Sequence, residues 1–373
     1  MFILKQYNTP ILKFDLYSNE YNKYFVDIVE YYGNDHLFPI DFDGSNESLL
    51  TWLKNRTIPS NRAYVSSLLS RVGLNEKNLV GIIKICRGLS LNDSYWVVEE
   101  GFDGDFYKYN LYTHKLSRIL AWTAFSGTGS YTNKTPFRSS PEFTTAGMLA
   151  KCWRRIDGKL YLYKSGTTLG VNSGREPYSE FYASQIASCM GINHVDYSIA
   201  KWKGYLCSTC ELFSSIDVSY VPIYRICEND LEKIFKFYKD LGPEFYNELI
   251  SMFVFDAIIC NEDRHMGNFG VLIDNATNKI CAPAPVFDNG LSLFNFAMDD
   301  DIKNIETYAK TRSPRLYEDF VSFVKKFMTE EHKKQVRKLI NFKFKKHPKY
   351  NLPDWWLKQI EDFIQIRVRE LLD

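Results

Sequence analysis

Between Phe245 and Cys260 the chain is strongly apolar, and at Asn261 it turns abruptly polar, reading Asn261-Glu262-Asp263-Arg264-His265-Met266-Gly267-Asn268-Phe269-Gly270. The apolar run is too short to span a membrane and carries Asp256, so it reads as a buried helix. Two strand-like runs follow, Val271-Leu272-Ile273 and Ile280-Cys281-Ala282-Pro283, with a turn at Asp274-Asn275-Ala276-Thr277-Asn278 between them. Phe287-Asp288-Asn289-Gly290 closes the segment. A buried helix must therefore deliver Asp263 and Asn268 on one loop, with Asp288 just beyond a hairpin. Few folds do this.

Upstream the pattern is strand-rich. Lys151 to Ile156 and Lys159 to Lys164 flank Asp157-Gly158, a pair suited to a type I′ hairpin turn. In the second run Leu160, Leu162 and Lys164 fall on one face. An ammonium facing a core is costly without a partner. Tyr178 to Gly191 reads as a helix, with Ser179 placed to cap it and Gly191 to end it. A further hairpin turns at Lys203-Gly204 and leads into Cys207-Ser208-Thr209-Cys210-Glu211-Leu212-Phe213. From 214 onward helices dominate, with spans expected at 314–328, 329–341 and 354–372. Strands first and helices second predict an α+β protein with two lobes. The expected divisions are an accessory region at 1–120, a first lobe at 121–213 and a helical second lobe at 214–373. In the accessory region, Ser48 to Leu53 and Tyr64 to Leu69 have helical spacing, the second stopping near Gly73. Phe125 to Pro136, containing Gly127-x-Gly129, reads as a linker rather than a phosphate loop.

Composition narrows the class. The chain has 373 residues and a formal net charge of +1, which does not suit a polybasic nucleic-acid coat. The 27 Phe, 25 Tyr and 7 Trp supply bulk for a core, so disorder is not expected. No signal peptide or run of apolar residues long enough to cross a membrane is visible, and the expected location is cytoplasmic. The eight scattered cysteines fit reduced thiols, and Cys207-x-x-Cys210 reads as two thiols on a buried strand. Basic residues crowd 325–349 (Lys325, Lys326, Lys333, Lys334, Arg337, Lys338, Lys343, Lys345, Lys346 and Lys349), with Phe327, Phe342 and Phe344 between them. A solvated basic helix face with its phenylalanines in the core is the expectation, and direct nucleic-acid binding is not.

Phosphoryl transfer from ATP needs the inventory around Asp263. One carboxylate receives or orients the hydroxyl proton, an amide and a second carboxylate hold Mg²⁺, and a lysine neutralises phosphate. The segment resembles the protein-kinase-like fold in its HipA branch, including the CtkA-type bacterial kinases. Those families carry a D-x-H-x-x-N loop, a hairpin and then a metal-binding aspartate. This chain has Asp263-x-His265-x-x-Asn268 and then Asp288. Thr144-Thr145-Ala146-Gly147-Met148-Leu149-Ala150-Lys151 resembles the family's [ST]-x-A-G-x-x-x-K phosphate loop. The resemblance runs in order over about 141–300. It implies a bilobed fold, an ATP lysine at Lys164, an ion-pair partner at Glu180 and an adenine hinge at Glu211, Leu212 and Phe213. It further implies nucleotide contacts from Ala146, Gly147, Met148, Lys151, His265, Asn268 and Asp288, metal ligands at Asn268 and Asp288, and a base at Asp263. Thr144 and Thr145 are implied candidates for self-modification. The sequence lacks H-R-D, A-P-E and a G-x-G-x-x-G, and Asp288-Asn289-Gly290 stands where eukaryotic kinases have D-F-G.

Taken singly, Asp263, Asn268 and Asp288 are ordinary turn-forming residues. His265 is expected to brace the loop, and Glu180 also fits as a first-turn acid at a helix start. Jointly the set fits an ATP- and Mg²⁺-dependent kinase, and the resemblance implies a Ser/Thr hydroxyl of a protein as the acceptor. An antitoxin-like or regulatory protein partner is part of what the resemblance implies. The alternatives are an ATP-binding pseudokinase that serves as an interaction module, and a lipid or small-molecule kinase, since Asp-Arg-His-x-x-Asn also resembles the loop of phosphatidylinositol kinases.

Overall fold

In a computed structural model, which describes residues 1–128, 139–168, 170, 172–228 and 230–373, the chain begins with strands. These are β1 (Phe2–Gln6), β2 (Thr9–Ser18) and β3 (Tyr24–Tyr31), followed by helices α1 (Asn46–Lys54), α2 (Val65–Ser70) and α3 (Leu79–Cys86). Then come β4 (Tyr95–Glu99), α4 (Phe106–Tyr109), α5 (Arg118–Ser126), β5 (Lys151–Ile156), β6 (Lys159–Ser165), α6 (Glu176–Met190), β7 (Tyr197–Trp202) and β8 (Tyr205–Glu211). The chain continues through β9 (Val218–Pro222), α7 (Leu231–Leu241), α8 (Pro243–Ile259), β10 (Gly270–Asp274) and β11 (Lys279–Pro283). It finishes with α9 (Asp299–Lys303), α10 (Ile305–Ala309), α11 (Phe320–Lys325), α12 (Glu330–Arg337) and α13 (Asp354–Leu372). The fold is α+β.

These elements form two compact units that do not follow chain order. One comprises Met1–Tyr163, Ser214–Val221 and Leu272–Cys281, and the other Lys164–Phe213, Pro222–Val271 and Ala282–Asp373. In the first unit an antiparallel sheet of order β3-β2-β1-β4 packs on α1, α2 and α3. Alternation explains much of its core: Phe2 and Leu4 on β1, and Leu12, Phe14 and Leu16 on β2, are buried, while Ile3, Lys5, Lys13 and Asp15 between them are half-exposed. Trp52 and Leu53 of α1 and Leu68 and Leu69 of α2 cover that face. Ser45 caps α1 by accepting from Ser48 N. The turn between β10 and β11 belongs to this unit, where Asn275 O accepts from Gln6 Nε2 at 3.3 Å.

In the second unit α8 is the central helix. Every residue from Leu249 to Ile259 is buried, including Phe253, Phe255, Ile258 and Ile259. Each such side chain contributes roughly 1.5–3 kcal/mol of burial free energy. Helix α13 buries Ile360, Phe363 and Ile364. Strands β7 and β8 pair antiparallel across Lys203-Gly204, both with positive φ, as the hairpin expectation requires. Asp157-Gly158 behaves alike between β5 and β6.

Several expectations need correction. Ser179 does not cap α6. The helix starts at Glu176 because Pro177 pre-sets its first turn, and the Ser179 hydroxyl donates to Ser292 O instead. The helical spans expected at 314–328 and 329–341 shrink to α11 and α12, since Asp319 and Thr329 act as N-caps. Residues 341–353 lie outside any helix, so the basic segment is no single helix face. Lys338 Nζ donates to Met190 O and Lys343 pairs with Glu361 at 2.7 Å, while Phe327, Phe342 and Phe344 are only half-buried. The linker expected at Phe125 to Pro136 falls largely outside the described residues, and its first two residues complete α5.

Candidate active site

The polar loop after α8 is shaped by one side chain. Cys260 leaves the helix with φ 49°, and the chain turns back on itself. Arg264, 1% exposed, then uses all five donors of its guanidinium. Nε donates to Asp256 Oδ2 at 2.9 Å, and Nη2 to Asp256 Oδ1 at 2.9 Å and to Asn289 Oδ1 at 2.7 Å. Nη1 donates to Asn268 O at 3.2 Å and Phe287 O at 2.6 Å. Burial alone would pull the pKa of this arginine down, but the Asp256 carboxylate outweighs it and holds the charge in place. Arg264 thus ties α8, the Asp263–Asn268 loop and the Asp288 loop together.

Within the loop, Asn268 N donates to His265 O at 2.9 Å and Asn268 Nδ2 to Asp263 O at 3.4 Å. His265 Nδ1 accepts from Gly267 N at 3.0 Å, and burial lowers its pKa. The imidazole braces the turn, as its position suggested. The Asp263 carboxylate is a third exposed and meets Arg315 Nη1 at 2.5 Å.

Lys164, near the end of β6, is buried with its ammonium between two carboxylates. It lies 2.7 Å from Glu180 Oε1 and 2.5 Å from Asp288 Oδ1. Desolvation lowers its pKa, yet Asp288 and Glu180 together more than reverse this and keep it charged above its ordinary value. Ser208 Oγ of β8 donates to Lys164 O at 3.4 Å. Glu180, wholly buried on α6, uses its other oxygen to accept from Asn289 N at 2.8 Å. It therefore fixes the lysine and the residue after Asp288 at once. Asp288 has φ 55°, a left-handed conformation costing on the order of 1 kcal/mol. Tyr197 OH accepts its N–H at 3.1 Å and helps hold it there. A Cβ on Gly290 would stand 3.4–3.6 Å from Glu176, Glu180 and Lys164, so the backbone here passes within ordinary contact distance of the ion pair.

Of the residues singled out in sequence, the structure joins Lys164, Glu180 and Asp288 directly, and Asp263, His265 and Asn268 in one loop. Glu211 ends β8, and Phe213 packs on Phe287, ring centroids 5.2 Å apart, just before Asp288. Thr144 to Lys151 belong to the other unit. There Gly147 has φ 91°, Lys151 Nζ donates to Ala146 O at 2.9 Å, and Met148 is exposed. Buried Arg62 fastens this stretch by donating to Glu142 O, Thr145 O and Lys151 O. Thr144 and Thr145 donate their hydroxyls to Leu89 O and Pro141 O. Sequence reasoning missed Arg264, Tyr197 and Arg315. For Arg264 a signal existed: Asp256 in an apolar helix demands a cation, and Arg264 is the first one after it.

As a metal site, Asn268 and Asp288 offer an amide and a carboxylate oxygen. Among the described residues no group of three or more His, Cys, Asp and Glu would hold an ion unaided. Two hard oxygen donors suit Mg²⁺, which keeps waters and takes remaining ligands from phosphates. Among the described residues no helix is long and apolar enough to cross a membrane.

No known sequence family matches this chain, and no curated protein matches it by sequence. Solved structures do. The chain is similar to Helicobacter pylori proinflammatory kinase CtkA, at 17% identity and a TM-score of 0.48, covering 60% of this chain and 91% of that one. It is similar over 100% of its length to HipA of Shewanella oneidensis MR-1, solved as a toxin–antitoxin complex with HipB and operator DNA, covering 99% of that chain at 12% identity and a TM-score of 0.53. The likeness to Shewanella HipA is one of architecture: this chain has a HipA-like, protein-kinase-like α+β fold.

Proposed function

We propose that this chain is an ATP- and Mg²⁺-dependent kinase that phosphorylates a Ser/Thr hydroxyl of a protein. The observation that carries the reading is the Lys164 ammonium held between Glu180 and Asp288, with Arg264 bonding the Asp288 loop to the loop of Asp263 and Asn268. A structural salt bridge would not need this second tie to a partly exposed carboxylate. Mg²⁺–ATP supplies the transferable phosphoryl group and offsets its charge.

In this reading Lys164 pairs with phosphate oxygens, and Asn268 and Asp288 hold the metal. Ala146, Gly147, Met148 and Lys151 serve the phosphates, and Glu211, Leu212 and Phe213 the adenine. Asp263 orients the acceptor hydroxyl and takes its proton. The hydroxyl oxygen bonds to the γ-phosphorus as the bond from that phosphorus to the bridging oxygen breaks, releasing ADP. Thr144 and Thr145 remain candidates for self-modification, which would cost each its bond to a backbone carbonyl. The eight free thiols fit a reducing cytoplasm. Shewanella HipA was solved with HipB, and a regulatory protein partner of that kind is part of the proposal.

The test is transfer from γ-labelled ATP to lysate proteins by the purified full chain, with mass spectrometry of the acceptors. Mg²⁺-dependent labelling that disappears in Asp263→Asn is expected. Absence of both labelling and Mg²⁺–ATP binding would overturn the reading.

A further inference from the structure

Between α10 and α11 runs Lys310-Thr311-Arg312-Ser313-Pro314-Arg315, three cations with no acid from Thr307 to Tyr317. The segment is anchored at both ends. Arg312 stacks over Tyr308 at 4.7 Å, Pro314 is buried, and Tyr317 stacks on Phe323 with centroids 4.0 Å apart. From this strap two guanidinium groups reach the loop after α8. Arg312 meets Glu262 at 3.5 Å and Arg315 meets Asp263 at 2.5 Å. The Arg315 side chain is nonetheless 57% exposed and the Asp263 carboxylate 32%.

Exposed ion pairs of this kind add little to stability and exchange readily with competing ions. The pair engages Oδ1 of the carboxylate that, in the kinase reading, an acceptor hydroxyl must approach. When Asp263 receives the hydroxyl, the guanidinium loses its partner and needs another anion. Its planar fork favours a carboxylate or phosphate in bidentate geometry. An acidic side chain next to the acceptor hydroxyl would supply that anion and free the base in the same binding event. A neutral acceptor leaves Arg315 on Asp263.

We propose that Arg315 is a specificity-determining residue that selects acceptor hydroxyls flanked by an acidic side chain. This rests on the kinase reading above, in which the acceptor oxygen attacks the γ-phosphorus, ADP leaves and the proton passes to Asp263. The transferring phosphoryl group is a second anion within the chemistry of such a site, and the test separates the two.

The probes are a serine peptide flanked by glutamates, its glutamine-flanked twin and a lysine-flanked version, each with the full-length chain and Mg²⁺–ATP. Wild type should favour the glutamate peptide over its twin by about tenfold in kcat/KM, the scale of a charge-assisted hydrogen bond. In Arg315→Ala the ratio should fall to about one. Arg315→Lys should keep part of the preference, and Arg315→Glu should shift it to the lysine peptide. A wild-type ratio near one, or the same ratio in Arg315→Ala, overturns the proposal. So does an equal loss of kcat for both peptides, which would assign Arg315 to the phosphoryl group. Labelling of lysate proteins but of no peptide also overturns it while leaving the kinase reading intact. Labelling of nothing, without Mg²⁺–ATP binding, sinks the kinase reading itself.

Discussion

Arg264 and Asp256 meet through two parallel N–H···O bonds, Nε to Oδ2 and Nη2 to Oδ1, both 2.9 Å long and both closed to water. Removing one partner strands a buried charge. Asp256→Ala or Arg264→Met should each cost roughly 3–5 kcal/mol. The double variant should cost less than the sum, because neither charge is then left alone. Urea unfolding midpoints measure all three.

Lys164→Met removes the cation that bridges two carboxylates and offsets their repulsion. Glu180 is fully buried, so its charge is left without a counter-ion beside Asp288. Its carboxyl pKa should then rise, and the sign follows. An acid raised in the folded state loses stability as pH climbs above the unfolded value of about 4.5. The variant should therefore be less stable than wild type at pH 8, by roughly 2–4 kcal/mol, and less so at pH 5. A pH-independent difference would show that Glu180 does not bear the charge. Transfer of phosphate should be lost throughout.

Asp263→Asn should lower kcat about 10²–10⁴-fold, the usual worth of a positioned base. Its carboxylate is partly exposed and its ion pair is with an exposed arginine, so the melting temperature should hardly move. Unchanged turnover would refute its role.

Asp288→Asn should weaken Mg²⁺–ATP binding more than binding of metal-free nucleotide, since a carboxylate oxygen is the better ligand for a hard cation. Calorimetry with and without Mg²⁺ decides the matter. Equal losses would point to the Lys164 contact instead.

His332 is fully buried, its Nδ1 accepting from Thr329 N at 3.0 Å and its Nε2 meeting Asn247 O at 3.1 Å. Burial lowers its pKa, so the folded state resists the proton that the unfolded chain accepts near pH 6.5. Stability should fall as pH drops through that value, and His265 acts in the same direction. His332→Gln should flatten the decline between pH 7.5 and 5, read from thermal melts.

What was legible in the sequence was local. The turns at Asp157-Gly158 and Lys203-Gly204 need left-handed backbone, and Gly191 ends α6 with φ 76°. Lys164 on an apolar strand face called for an anion, and Glu180 supplies one. The remainder depends on side chains meeting across long separations. Tyr197 caps the Asp288 backbone from 91 residues away and Arg315 reaches Asp263 across 52, and no periodicity encodes such directions. The sheet of β1 to β4 is harder to read, because β1 alternates over only five residues and the adjacent buried Ile11 and Leu12 interrupt the alternation of β2.

The interleaving of the two units bears on how the polypeptide can be made. The chain passes between them after Tyr163, Phe213, Val221, Val271 and Cys281. No contiguous fragment encodes either unit. A truncation ending at Tyr163 would lack the turn whose Asn275 carbonyl receives Gln6, and the Asn275 Oδ1 that binds Ser219. On the ribosome the earliest strands must wait for Cys281 to emerge before their unit is whole, so the first half of the chain spends much of its synthesis as an unfinished surface.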